Sequence, residues 1–219
     1  MKIPENKFIR DYLTKLTFKK KESLSLKDDV FFDKKKGYIF SLDTYEENVH
    51  FIKNSIPANF VQKIFRASIS DIICKGVQPS VYFLSLAITK KKKNWLKSFI
   101  TILNNEQKKF GLFLGGGDTI RSGKNSISFS VIGHTEQPVL RNGAKNNDDI
   151  YVTRNLGDSY IGLQIIKKKI NLRKHNNFYK SAYYKPNLPY VFSKYLKKVA
   201  TSSTDISDGL MRDLKNICI

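Results

Sequence analysis

Carboxylates are scarce in this chain, with 19 Asp and Glu against 39 Lys and Arg, and seven aspartates fall in short segments where an apolar run meets a turn. Asp28 and Asp29 precede Val30-Phe31-Phe32, Asp43 closes Tyr38-Ile39-Phe40-Ser41-Leu42, and Asp71 follows Ser68-Ile69-Ser70. Asp118 follows Gly115-Gly116-Gly117, and Asp205 and Asp208 flank Ser207. A carboxylate at a turn is a ligand for a hard divalent cation, and the bare N–H groups of a glycine-rich turn approach an anion closely. Together they describe a phosphate group with its magnesium ion. Each feature also has a plainer reading. The glycines with Asp118 make a structural turn, Asp28-Asp29 a solvated turn, and Ser207 or Asp208 a helix N-cap. Asp71, crowded by apolar residues, either projects to solvent or faces a paired site, because an unpaired buried carboxylate is costly. His50 by itself reads more readily as a surface or hydrogen-bonded histidine than as a reactive one.

The surrounding periodicities say what must hold these residues. Leu112-Phe113-Leu114 before three glycines predicts a buried strand that turns sharply at its end and presents Asp118. Residues 30–32 and 38–44, joined by Lys35-Lys36-Gly37, predict a hairpin that brings Asp28, Asp29 and Asp43 to one side. Pro57 and Gly76 bracket a helix with Phe60, Ile64, Ala67 and Ile72 on one stripe. A strand over 81–88, a helix over 94–110 stopped by Gly111, and an alternating strand over 126–132 follow. The pattern is ββαβαββ, an α/β (α+β) fold with a mixed or antiparallel sheet.

The chain divides into an N-terminal helical segment (1–22), a first domain (23–137), a linker rich in Asn and Gly (138–148) and a second, partial α/β domain (149–219). In that second part, a strand over 149–153, a helix from about 158 to 169, a helix after Pro189 and a strand-to-helix junction at Asp205–Gly209 are expected.

Composition narrows the classes. With 41% hydrophobic residues the chain is globular, and no run of about 18 apolar residues offers a membrane span. The start Met1-Lys2-Ile3-Pro4-Glu5-Asn6-Lys7 carries no signal core, so the expected location is cytoplasmic. Cys74 and Cys218 form no CxxC pattern and no disulfide framework. A net charge of +20 invites a nucleic-acid reading, but the lysines lie in short scattered runs such as 19–21, 34–36, 90–93 and 167–169. They read as solvated surface, with no nucleic-acid or membrane partner.

Taken in order, these segments resemble the thiamine-monophosphate kinase family of the aminoimidazole ribonucleotide synthetase-like superfamily. The residues that carry the resemblance are Asp28-Asp29, Ser41-Leu42-Asp43-Thr44 with His50-Phe51, Ser70-Asp71 with Gly76 and Pro79, and Gly116-Gly117-Asp118-Thr119. Arg141-Asn142-Gly143-Ala144, Asp149-Ile150-Tyr151-Val152-Thr153, Leu156-Gly157-Asp158-Ser159 and Asp205-Ile206-Ser207-Asp208-Gly209-Leu210 complete the set. The resemblance implies Mg²⁺ ligation by Asp29, Ser41, Asp43, Asp71, Asp118, Asp205 and Asp208, with Asp28 and Leu42 as further candidates. It implies ATP contacts at Gly117, Asp118, Arg141 and Ser207, and a contact between His50 and the thiamine phosphate. The implied reaction is Mg²⁺-dependent transfer of the ATP γ-phosphoryl group to thiamine monophosphate, giving thiamine diphosphate and ADP in a cytoplasmic homodimer joined through the first domain. Positioning and charge neutralisation dominate such a transfer, so it is expected to be direct, in line and without a phospho-enzyme. Three positions depart from the family: Lys27 for a Gly, Leu42 for a Thr and Arg154 for a Gly. The family also continues past residue 219, so the sequence is expected to be incomplete at its C-terminal end.

Overall fold

A computed structural model describes residues 3–218. Met1, Lys2 and Ile219, which the expected terminal segments include, lie outside the described residues. The first half follows the expected order: β1 (Phe31–Asp33), β2 (Tyr38–Glu46), a helix (Val61–Ile73), β3 (Pro79–Ile88), a helix (Lys93–Phe110), β4 (Phe113–Arg121) and β5 (Ser126–His134). A short helix, α1 (Glu5–Asp11), precedes them, so the two helices of the unit are α2 and α3. The five strands form one mixed sheet in the order β1-β2-β5-β3-β4, antiparallel except for the parallel pair β3 and β4 that α3 connects.

Alternation along the strands builds the core on one face. Ile39, Ser41 and Tyr45 of β2, Tyr82 and Leu84 of β3, and Ile127, Phe129 and Val131 of β5 point inward. They meet Ile64, Phe65, Ile69 and Ile72 of α2. Phe99, Leu103 and Phe110 of α3 join the same core, and Gly111 ends that helix at φ +71°. The stripe read from the sequence is therefore the face that α2 buries. The opposite face of the sheet carries no helix among the described residues and exposes Leu42, Phe83 and Ile120.

Three local expectations differ from the structure. The glycines before Asp118 do not end the strand; β4 continues through them as an edge strand, with an irregularity in pairing at Gly115 and Gly116 at φ +156°. Their role is close approach: a Cβ on Gly117 would lie 1.9 Å from the Leu84 carbonyl oxygen, and Gly115 sits at a register shift against Tyr82 and Phe83. The apolar run at 149–153 forms no strand, and Tyr151 is 86% exposed. Without a neighbouring strand, its backbone groups have no ladder to join. The segment before Asp205 is likewise irregular rather than a strand.

Beyond β5 irregular segments connect four α-helices among the described residues: α4 (Asp158–Ile166), α5 (Asn176–Tyr184), α6 (Tyr190–Val199) and α7 (Leu210–Ile217). They dock on the sheet unit through specific bonds. Arg66, held by Glu106 at 2.7 Å, donates to the Pro186 carbonyl, and the Tyr190 hydroxyl donates to the Phe110 carbonyl at 2.7 Å. No helix among the described residues is long and apolar enough to cross a membrane.

Candidate functional site

The C-terminal end of α2 is where distant parts of the chain meet. Asp29 arrives from the segment before β1, Asp43 from β2, Asp71 from the last turn of α2, and Asp205 from the irregular segment before α7. Asp43 faces α2 because it shares the inward side of β2 with Ser41 and Tyr45. Tyr45 donates its hydroxyl to Asp43 Oδ2 at 2.8 Å, and Ser41 donates to the Ser68 carbonyl at 3.5 Å. Ser70 Oγ donates to Asp205 Oδ2 at 2.8 Å, tying residues 135 apart. One ligand atom each from Asp29, Cys74 and Asp205 lie within 4.8 Å of one another.

The electrostatics divide this cluster. Burial raises the Asp71 carboxyl well above its ordinary value, and the charges of Asp43, Asp205 and Asp29 push it further. Burial also raises Asp43, partly offset by its Tyr45 hydrogen bond. Asp205 is pushed up to about 6, first by burial and then by the Asp29 charge. These three carboxylates share low-dielectric space without an adequate counter-charge. Asp28 and Asp29 differ, because cations lie directly on them. Lys75 Nζ is 2.8 Å from Asp28 Oδ1 and 3.1 Å from Asp29 Oδ2, and the Arg141 guanidinium pairs with Asp29 Oδ1. Burial works against the Lys75 charge, yet the Asp28 and Asp29 carboxylates hold its pKa above the ordinary lysine value.

Several expected residues stand apart from this centre. Leu42 is 68% exposed and points to the open face of the sheet, opposite Asp43. Asp118 is exposed on the edge strand β4, in register with Ser85, and its Oδ1 accepts the Thr119 N–H. With β5 and β3 between β2 and β4, Asp118 lies about 14 Å across the sheet from Asp43, three strand spacings away. Gly117 shares that strand. Asp208 is exposed and pairs with Arg212 at 3.2 Å. The N–H groups of Ser207, Asp208 and Gly209 all donate to Oδ2 of Asp213, a residue only 2% exposed. The anion that sits at the start of α7 is thus one of the chain's own side chains.

His50 lies at the margin. Its ring meets Tyr45 edge-on at 5.6 Å between centroids, so one aromatic ring separates it from Asp43.

Lys75, Cys74, Tyr45 and Thr204 were missed from sequence. Thr204 Oγ1 accepts from Arg141 Nε at 3.1 Å and lies 3.4 Å from Asp29 Oδ2. The available signal for Lys75 is a lysine that follows the apolar run Ile72-Ile73-Cys74 and stands just before Gly76, past the end of the helix. In a chain with 39 basic residues that signal is diluted.

Comparison with known proteins follows the same lines. Residues 27–135 match the family described as AIR synthase related protein, N-terminal domain. The thiamine-monophosphate kinase of Buchnera aphidicola subsp. Schizaphis graminum is 38% identical over 182 residues, covering 81% of this chain and 56% of that protein. The thiamine-monophosphate kinase of Leptospira interrogans is 31% identical over 196 residues, covering 87% of this chain and 64% of the relative. Among solved structures, AaThiL complexed with AMPPCP and TMP superposes with a TM-score of 0.85 at 26% identity, covering 98% of this chain and 71% of that one. The chain therefore spans little more than half the length of the curated relatives it matches.

Proposed function

The chain belongs to the AIR synthase-related family, and on that premise we propose that it acts in the transfer of the ATP γ-phosphoryl group to thiamine monophosphate, giving thiamine diphosphate and ADP. The observation that carries this reading is the convergence of Asp29, Asp43, Asp71 and Asp205 from four separate segments onto the end of α2. The complex of AaThiL with AMPPCP and TMP supports ATP and the thiamine phosphate as the two substrates.

The donor set fits a hard divalent cation such as Mg²⁺ on the Asp205 side of the cluster, where the Asp205 carboxylate lies within 4.8 Å of ligand atoms of Asp29 and Cys74 and its charge, with that of Asp43, acts on Asp71. When bound there, such a cation neutralises phosphate charge and orients phosphate oxygens. The protein's own groups do the positioning. Tyr45 fixes Asp43, Ser70 fixes Asp205, and Arg141 with Thr204 fixes Asp29. Arg141 thereby stands beside the carboxylates, where a guanidinium fork can also meet phosphate oxygens.

Transfer is direct. The one thiol in the cluster, Cys74, is raised well above its ordinary pKa by burial and stays protonated, so it supplies no nucleophile. The same reading gives His50, whose ring meets Tyr45 at the cluster's edge, the contact with the thiamine phosphate. The free state of Cys74 and Cys218 accords with a reducing cytoplasm.

A homodimer is part of the same reading. The helix-free face of the sheet exposes Leu42, Phe83, Phe113 and Ile120, an apolar surface suited to a second copy.

The test is ADP release measured with each component omitted in turn. Turnover that needs both Mg²⁺ and thiamine monophosphate is expected. Thermal stabilisation by ATP without any turnover would replace the kinase with a nucleotide-binding module.

A further inference from the structure

Among the described residues Lys75 is the only buried lysine, with 0% of its surface exposed. An ammonium has three protons to donate, and here all three have acceptors: Asp28 Oδ1 at 2.8 Å, Asp29 Oδ2 at 3.1 Å and the Ser203 carbonyl at 3.0 Å. Two carboxylate oxygens and a carbonyl oxygen around one positive charge are the ligands a hard cation would choose.

The remaining oxygens of the aspartate pair are also engaged. Asp28 Oδ2 accepts the Arg141 backbone N–H at 2.8 Å, and Asp29 Oδ1 accepts the Arg141 guanidinium. Asp28 Oδ1 takes in addition the Asp29 N–H at 2.9 Å. Every carboxylate oxygen of the pair thus has a donor. For a metal ion to bind between them, the Lys75 ammonium would have to leave and remain buried without its partners, which is strongly unfavourable. The other side of the cluster offers the opposite. Asp43 and Asp205 each accept one hydroxyl, from Tyr45 and Ser70, and the Asp71 carboxylate accepts no hydrogen bond among the described residues.

We propose that Lys75 is a built-in cation that takes, between Asp28 and Asp29, the place a divalent ion would otherwise fill, so that added ions bind only beside Asp43, Asp71 and Asp205. The same ammonium locks the segment before α7 to the end of α2 through the Ser203 carbonyl, so the fixed charge also sets where Asp205 stands. This inference relies on the kinase reading only for the expectation that the protein binds divalent ions at all.

The test counts bound Mn²⁺ by electron paramagnetic resonance in the wild-type chain, in Lys75→Met, and in Lys75→Met combined with Asp28→Asn. The expected result is one additional Mn²⁺ per chain in Lys75→Met and no such gain in the double variant. An equal count in wild type and Lys75→Met overturns the proposal, even when the wild type binds metal well. A wild type that binds none, with Lys75→Met binding one, upholds Lys75 as the resident cation while sinking the metal reading of Asp43, Asp71 and Asp205. If Lys75→Met does not fold, the wild type answers alone through the ¹⁵N resonance of its lysine ammonium groups. A slowly exchanging Lys75 signal that persists in saturating Mg²⁺ is expected, and its disappearance on adding Mg²⁺ overturns the proposal.

Discussion

The two halves of the carboxylate cluster are built from the same residue type a few ångströms apart and behave in opposite ways. Asp28 and Asp29 are saturated by Lys75 and Arg141, and every oxygen has a donor. Asp43, Asp71 and Asp205 are half-buried with only hydroxyl partners or none among the described residues, and all three carboxyls are raised. The first half is finished as it stands and holds the fold together. The second is energetically incomplete, which is the condition expected of a site that a cation and phosphates are meant to enter. Proximity of acids therefore does not define the site; the distribution of counter-charge among them does.

The largest way to break that contrast is to remove the counter-charge. Lys75→Met leaves two buried carboxylates facing each other, and unfolding in urea should report a loss of about 3–5 kcal/mol. A loss below about 1 kcal/mol would mean that the saturated half contributes little to the fold.

Next comes pH. The native Asp205 carboxyl keeps its proton to about pH 6 against an ordinary value of 3.8. Between those values the native state binds more protons at Asp205 than the unfolded chain does, so the contribution of this carboxyl to metal-free stability is fully present below about pH 4 and is lost as pH rises to about 6. That loss is about 3 kcal/mol. Asp43 and Asp71 act in the same direction. Urea unfolding across this range should show the decline, and Asp205→Asn should flatten it.

A smaller effect sharpens the other half. Asp71→Asn removes an uncompensated charge, so the metal-free chain should gain about 1–2 kcal/mol at pH 7 while losing affinity for Mg²⁺ in calorimetric titration. The smallest effect is expected far from the cluster. Asp118→Asn, on the exposed edge strand, should change stability by no more than about 0.5 kcal/mol in urea.

Much of the frame was legible in the sequence. The hairpin of β1 and β2, alternation in β5, the apolar stripe of α2 and the Gly111 stop of α3 are local signals, and the structure follows each of them. The ββαβαββ order emerged because those signals depend on nearest neighbours along the chain. The glycines before Asp118 misled because Gly serves two purposes. A turn needs its φ freedom, whereas β4 needs the missing side chain so that Gly117 can lie against the Leu84 backbone. The 149–153 segment misled because apolar content favours a strand only where a partner strand exists, and Ile150, Tyr151 and Val152 stand exposed.

At the site, the sequence supplied the acids but not their pairing. Which aspartate Lys75 reaches depends on how the end of α2 meets the segment before β1, a contact between residues 46 apart. Likewise, nothing local in Ser207-Asp208-Gly209 announces that Asp213 will collect all three backbone N–H groups.

The central claim is that divalent ions gather beside Asp43, Asp71 and Asp205 and not between Asp28 and Asp29. The most direct measurement is a crystal of this chain soaked in Mn²⁺ and phased for anomalous scattering. The account predicts a strong anomalous peak within coordination distance of the Asp43, Asp71 and Asp205 carboxylates, with Lys75 still bridging Asp28 and Asp29. A peak between Asp28 and Asp29 with Lys75 displaced, or peaks confined to Asp118 or Asp208, would contradict it.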